Sequence, residues 1–127
     1  MSTTIKRLTS AVAAIFVVVF ALSTLTACAD QKADMSKVAA VIDVRTPAEI
    51  AETGHLEGAL TIDWQGPDFA TQIEKLDKTA NYIVYCRSGN RAGQAKAAME
   101  GMGFEHVTNA GSVDEAAAAT GLAIVQP

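Results

Sequence analysis

One run constrains this chain more than any other: Tyr82-Ile83-Val84-Tyr85-Cys86-Arg87-Ser88-Gly89-Asn90-Arg91-Ala92. Four aromatic or β-branched residues stop at a cysteine, turn formers and cations follow, and Arg91 onward reads as helix. This predicts a buried strand, a tight basic loop and a helix that opens beside the thiol. A thiolate at that junction faces the positive end of a helix dipole, backbone N–H donors and two guanidinium groups. All of these stabilise its charge and lower its pKa. Cys86 is therefore the candidate nucleophile, and Arg87, Ser88, Gly89, Asn90, Arg91 and Ala92 form the candidate anion cradle.

The rest of the domain alternates strand and helix. Val38 to Val44 is apolar and β-branched and predicts a buried strand closed by Asp43 near one edge of the sheet. Thr46-Pro47-Ala48-Glu49 is a capping box with proline at the first helical position, and Gly54 stops that helix. Ala59 to Ile62 predicts a short strand. Asp68 to Leu76 predicts an amphipathic helix with Phe69, Ile73 and Leu76 on its core side. The alanine-rich stretch from Arg91 to about Met102 is a strong helix ended by Gly101 and Gly103, and Phe104 starts the turn into Val107. Ser112-Val113-Asp114-Glu115 is a second capping box, opening a helix that Gly121 ends. Such alternation implies an α/β fold: a mainly parallel central sheet with helices on both faces, and chemistry at the carboxyl ends of its strands.

The first 27 residues have a different character. Lys6 and Arg7 precede an almost wholly apolar stretch from about Ala11 to Leu25, the pattern of a secretory signal peptide. Leu25-Thr26-Ala27-Cys28 resembles a bacterial lipobox, which implies cleavage before Cys28 and lipid on that cysteine. An ordinary signal peptide or a retained membrane anchor are the alternatives. The expected organisation is a lipoprotein signal peptide at 1–27, lipidated Cys28 with a polar tether to residue 37, and one domain at 38–127, exported and held to a bacterial membrane outside the cytoplasm. Without the two n-region cations, eight Lys plus Arg face 14 acidic residues, a formal charge of −6. That excludes nucleic acid as a natural partner and leaves membrane attachment to the lipid alone.

An oxidising compartment favours paired cysteines, so a lipidated Cys28 leaves Cys86 as a lone exported thiol. Such a thiol points to chemistry at sulfur. The bland readings are an inert buried cysteine or, if lipidation fails, a Cys28–Cys86 disulfide. Two separated histidines and one available thiol lack metal-ligand spacing, so no metal or cofactor is expected.

The ordered motifs Ile42-Asp43-Val44-Arg45-Thr46-Pro47-Ala48-Glu49, Gly54-His55-Leu56-Glu57-Gly58-Ala59 and Tyr85-Cys86-Arg87-Ser88-Gly89-Asn90-Arg91 resemble the successive signatures of a single-domain rhodanese. The likeness spans the mature domain through Met102-Gly103-Phe104-Glu105-His106-Val107 and the Asn109-Ala110-Gly111 turn, and its exported start is similar to the phage-shock type. It implies a rhodanese-like fold and sulfur transfer by double displacement. Cys86 thiolate would take the outer sulfur of thiosulfate, or of a similar small anionic donor, as a persulfide. That sulfur would then pass to cyanide or a thiol, including one on an exported protein. Arg91 is expected to orient the donor's sulfonate oxygens, and Arg87 to draw the anion in from solvent.

The loop Cys86 to Arg91 is Cys-x4-Arg, shorter than the Cys-x5-Arg of phosphatases and arsenate reductases that share the fold. The alternative function is a non-catalytic sulfur carrier or partner-binding module.

Supporting roles are expected for Asp43 and Arg45, as an ion pair beneath the loop, and for His55, as a ligand of loop backbone rather than a general base. Trp64 is expected to pack at the core or pocket rim, and His106 to lie on the surface. Asn109-Ala110-Gly111 departs from the family's Gly-Gly turn, and Ala116 to Ala119 stand where an aromatic residue is common. Both departures bear on the pocket wall. A monomer is expected.

Overall fold

The computed structural model describes residues 32–127. The signal-peptide segment and the lipidation site at Cys28 lie outside the described residues. Six strands and four helices follow in the order β1 (Val38–Asp43), α1 (Pro47–Thr53), β2 (His55–Leu56), β3 (Leu60–Thr61), α2 (Phe69–Glu74), β4 (Asn81–Tyr85), α3 (Asn90–Gly101), β5 (His106–Asn109), α4 (Val113–Thr120) and β6 (Ile124–Val125). The main sheet has the order β3-β1-β4-β5, and every pairing in it is parallel.

Alternation along the central strand assigns side chains to the two faces of the sheet. Tyr82, Val84 and Cys86 point to one core with Ile42, Phe69, Ile73, Ala92, Ala95 and Met99, the layer covered by α2 and α3. Ile83 and Tyr85 point to the other with Val41, Leu56 and Ala116, where α4 packs. Burial of a whole aliphatic side chain such as Ile73 or Leu56 contributes about 1.5–3 kcal/mol, so both faces must be covered for the central strand to be stable.

Helix boundaries follow their caps. Thr46 accepts from the Glu49 N–H while the Glu49 carboxylate accepts from the Thr46 N–H, so α1 begins on a complete capping box with Pro47 in its first turn. Ser112 and Glu115 make the same reciprocal pair at the start of α4, and Gly121 ends that helix in the left-handed region. By contrast, Asp68 makes no side-chain cap, and α2 is shorter than its apolar spacing predicts.

Two features depart from the sequence expectation. β2 and β6 form a small antiparallel pair, His55 with Val125 and Leu56 with Ile124, closing the chain's end over the loop after α1. Two-residue strands carry no periodicity, and only the tertiary fold selects them. The polar segment read as a tether also packs against the domain in its described part. The Ala33 N–H donates to the Ala119 carbonyl at 2.8 Å, and Met35–Lys37 forms a single 3-10 turn with Ala33 and Met35 against the α4-side core. Among the described residues no helix is long and apolar enough to cross a membrane.

Candidate active site

Parallel pairing places the ends of β1 and β4 side by side, with Asp43 opposite Tyr85. The residues that leave these two strands must therefore meet, and the site is built where they do.

Cys86 is the first residue after β4. It is fully buried, and among the described residues it forms no disulfide. Its own N–H donates to the Gly111 carbonyl at 3.0 Å, which ties the start of the loop to the β5–α4 turn. Gly89 then takes φ +89°, a left-handed turn that reverses the chain into α3. A side chain there would be strained, and its Cβ would come within 3.2 Å of the Gly111 Cα. The Gly89 N–H donates to Cys86 Sγ at 3.0 Å, and the Ala92 N–H reaches it at 3.5 Å. The 12-residue helix α3 thus directs its amino end at the sulfur.

Burial pushes the Cys86 thiol up, but N–H groups of Ala92, Ser88, Gly89 and Arg91 more than offset this, so its pKa lies below the ordinary thiol value. The sulfur is buried, yet its surroundings favour the thiolate.

The loop side chains separate. Arg87, Ser88 and Asn90 are exposed, and Ala92 is buried against the sulfur's own core. Arg87 makes no ion pair among the described residues. It borders a hollow of about 440 Å³ shared with Glu49, Glu52, Ser112 and Asp114, which Cys86 does not line.

Arg91 is paired within the chain. Both of its Nη atoms are donated to Glu49, Nη1 to Oε2 and Nη2 to Oε1, each at 2.7 Å. In this structure its planar fork grips a carboxylate of the same chain. Glu49 Oε2 also accepts from the Thr46 N–H and hydroxyl, each at 3.0 Å. Arg91 foremost holds the Glu49 carboxylate at about 2, well below the ordinary range. In the sequence Glu49 is legible as a helix cap and as part of the first family motif, but its pairing with Arg91 is not. The available signal was topological, because residues following adjacent parallel strands converge.

Asp43 and Arg45 lie on the opposite face, both buried. Arg45 donates Nη2 to Asp43 Oδ2 at 2.7 Å and Nε to Oδ1 at 3.0 Å. Its remaining donors reach Thr53 Oγ1 at 2.8 Å and the Gly54 carbonyl at 2.6 Å, and the guanidinium lies 5.9 Å from the Tyr85 ring centroid. This network locks the end of β1 to the end of α1. The Tyr85 hydroxyl accepts from the Leu56 N–H at 2.9 Å, and burial raises its pKa strongly, so it stays neutral.

His55 Nδ1–H donates to the carbonyl of its β2 neighbour Leu56 at 2.8 Å. Trp64 meets Phe69 edge-on at 4.9 Å between ring centroids, donates Nε1–H to Gln94 at 2.9 Å and packs, partly buried, against the core. His106 is exposed. Among the described residues no group of three His, Cys, Asp or Glu side chains has metal-binding geometry.

A parallel sheet whose central strand drops a cysteine among loop N–H donors, ahead of a helix and with a buried Asp–Arg pair on the opposite face, defines a class, and comparison with known proteins identifies it. The profile of the rhodanese-like domain matches residues 26–117, and the chain belongs to that family. The thiosulfate sulfurtransferase PspE of Escherichia coli is 36% identical over 76 residues, 60% of this chain and 72% of that protein. A sulfurtransferase of Allochromatium vinosum is 36% identical over 87 residues, 68% of this chain and 78% of the relative. Among solved structures, a rhodanese with anions from E. coli superposes with a TM-score of 0.56 at 32% identity, covering 69% of this chain and 98% of that one.

Proposed function

We propose that the protein is a thiosulfate sulfurtransferase working through a persulfide on Cys86. The carrying observation is the convergence of loop N–H groups on a buried sulfur whose pKa is lowered. The thiolate attacks the outer sulfur of thiosulfate. A Cys86 S–S bond forms, the donor's own S–S bond breaks, and sulfite leaves with the bonding electron pair. Cyanide or a thiolate then attacks the outer persulfide sulfur, taking it away and returning the Cys86 thiolate.

Backbone dipoles suit this chemistry because the thiolate, the bound donor and the persulfide anion are all negative and all lie at the same loop. Arg91, neutralised by Glu49, shapes the loop instead of gripping the sulfonate, and Arg87 is the exposed cation that meets the anion. Since Sγ is buried at the loop floor, the outer sulfur of the persulfide is what an acceptor meets. From the apolar N-terminal run and Leu25-Thr26-Ala27-Cys28 we further infer that the protein works outside the cytoplasm, tethered through lipid on Cys28, with an exported thiol protein among its acceptors.

The supporting test is thiocyanate formation from thiosulfate and cyanide by the purified protein, with Cys86→Ser as control. Turnover lost in Cys86→Ser supports the enzyme. A folded, reduced wild-type protein without turnover would favour the sulfur-carrier or binding-module role. Metabolic labelling with a fatty acid, lost in Cys28→Ser, tests the tether.

A further inference from the structure

Asn109 closes β5 beside the active loop, and its amide is used at both ends. Its Nδ2 donates to the Gly89 carbonyl at 2.9 Å, and its Oδ1 accepts from the Gly111 N–H at 2.9 Å. The partners fix the amide's orientation, since a flipped group would set donor against donor and acceptor against acceptor. Each partner is in turn bound to the sulfur's surroundings. The peptide on the other side of Gly89 presents its N–H to Sγ at 3.0 Å, and the Gly111 carbonyl accepts from the Cys86 N–H at 3.0 Å. The Gly89 carbonyl also takes the Gly93 N–H at 2.9 Å, so Asn109 grips the loop where α3 starts. The fit is close. A Cβ on Gly93 would stand 3.4 Å from Nδ2, and one on Gly89 would stand 3.8 Å from Oδ1.

We propose that Asn109 is a positioning residue for the Cys86 sulfur, holding the Gly89 carbonyl and the Gly111 N–H in one amide so that the loop's N–H groups stay aimed at Sγ. Gly89 has wide conformational freedom, and without this grip its peptide planes can rotate and carry the donor off the sulfur. Asn109 touches neither sulfur nor substrate. Its contribution reaches the chemistry through the loop. The inference concerns the same site as the sulfur-transfer reading, but its readout is thiol ionisation, so either can fail while the other stands.

The test is the pH dependence of iodoacetamide alkylation in the full chain, read by mass spectrometry on the Cys86 peptide so that Cys28 does not contribute. Asn109→Ala should raise the Cys86 midpoint by about one pH unit, the effect of losing a well-aimed donor to a thiolate. Asn109→Asp keeps an acceptor for the Gly111 N–H but sets a carboxylate against the Gly89 carbonyl and near the thiolate, so its midpoint should rise further. The control is Asn81→Ala. Asn81 donates to the Lys37 carbonyl at 3.0 Å from the far end of β4, and its loss should leave the midpoint in place. Folded Asn109 variants with reduced melting temperature and an unmoved midpoint would overturn the proposal. Failure of both to fold would also overturn it, because an exposed side chain that only aims a loop is not needed for the fold.

Discussion

Removing the charge on Glu49 tests how the loop is held. Glu49 joins the first turn of α1 to Arg91 on α3, and its carboxylate falls from an ordinary 4.5 to about 2, chiefly through the two Arg91 bonds. At about 1.4 kcal/mol for each pH unit, that drop sets an upper bound of about 3.5 kcal/mol. The side chains are 20% and 26% exposed, so solvent screens the pair. The working figure for Glu49→Gln is therefore about 1–2 kcal/mol at pH 7.

The sign follows from the lowered pKa. The folded state prefers the ionised carboxylate, so the contribution is complete above the unfolded-state pKa near 4.5 and disappears as pH falls toward about 2. Urea unfolding of wild type and Glu49→Gln across this range should show a stability gap that is constant at neutral pH and closes in acid. A gap that is absent at pH 7, or that stays flat from pH 7 to the acid limit, would refute the reasoning.

Further outcomes follow from the same geometry. Asp43→Ala should cost about 3–5 kcal/mol in urea unfolding, because Arg45 is left as an uncompensated buried charge. Tyr85→Phe should cost about 1–3 kcal/mol by leaving the buried Leu56 N–H without an acceptor, while Cys86 alkylation keeps its wild-type pH profile. Gly89→Ala should lose about 1–2 kcal/mol from left-handed strain and raise the Cys86 alkylation midpoint, since the loop is pressed against Gly111. In wild type that midpoint should lie below the ordinary thiol value of 9.0, and a midpoint at or above it would contradict the N–H cradle.

Much of the fold was legible because its signals are local. The two capping boxes at Thr46 and Ser112, the apolar strand ahead of Cys86 and the glycine at its turn each declare themselves within a few residues. The β2–β6 pair was not legible, because two-residue strands at His55 and Ile124 have no pattern and exist only where the fold brings them together. Within the site, Cys86 and its loop could be read directly, since strand, turn and helix adjoin in sequence. The partners of that loop could not. Glu49 is 42 residues from Arg91, and Asn109 is 20 residues from Gly89. That Arg91 meets a carboxylate in the first turn of α1 is visible only once the fold brings α1 and α3 together.

The most direct test of sulfur transfer through Cys86 is mass spectrometry of the purified, reduced protein before and after thiosulfate, then after cyanide, with Cys86→Ser beside it. The account predicts a gain of one sulfur atom on the Cys86 peptide alone, removed by cyanide and absent from the serine variant. A folded wild-type protein that takes up no sulfur from thiosulfate, or takes it up elsewhere than Cys86, would contradict it.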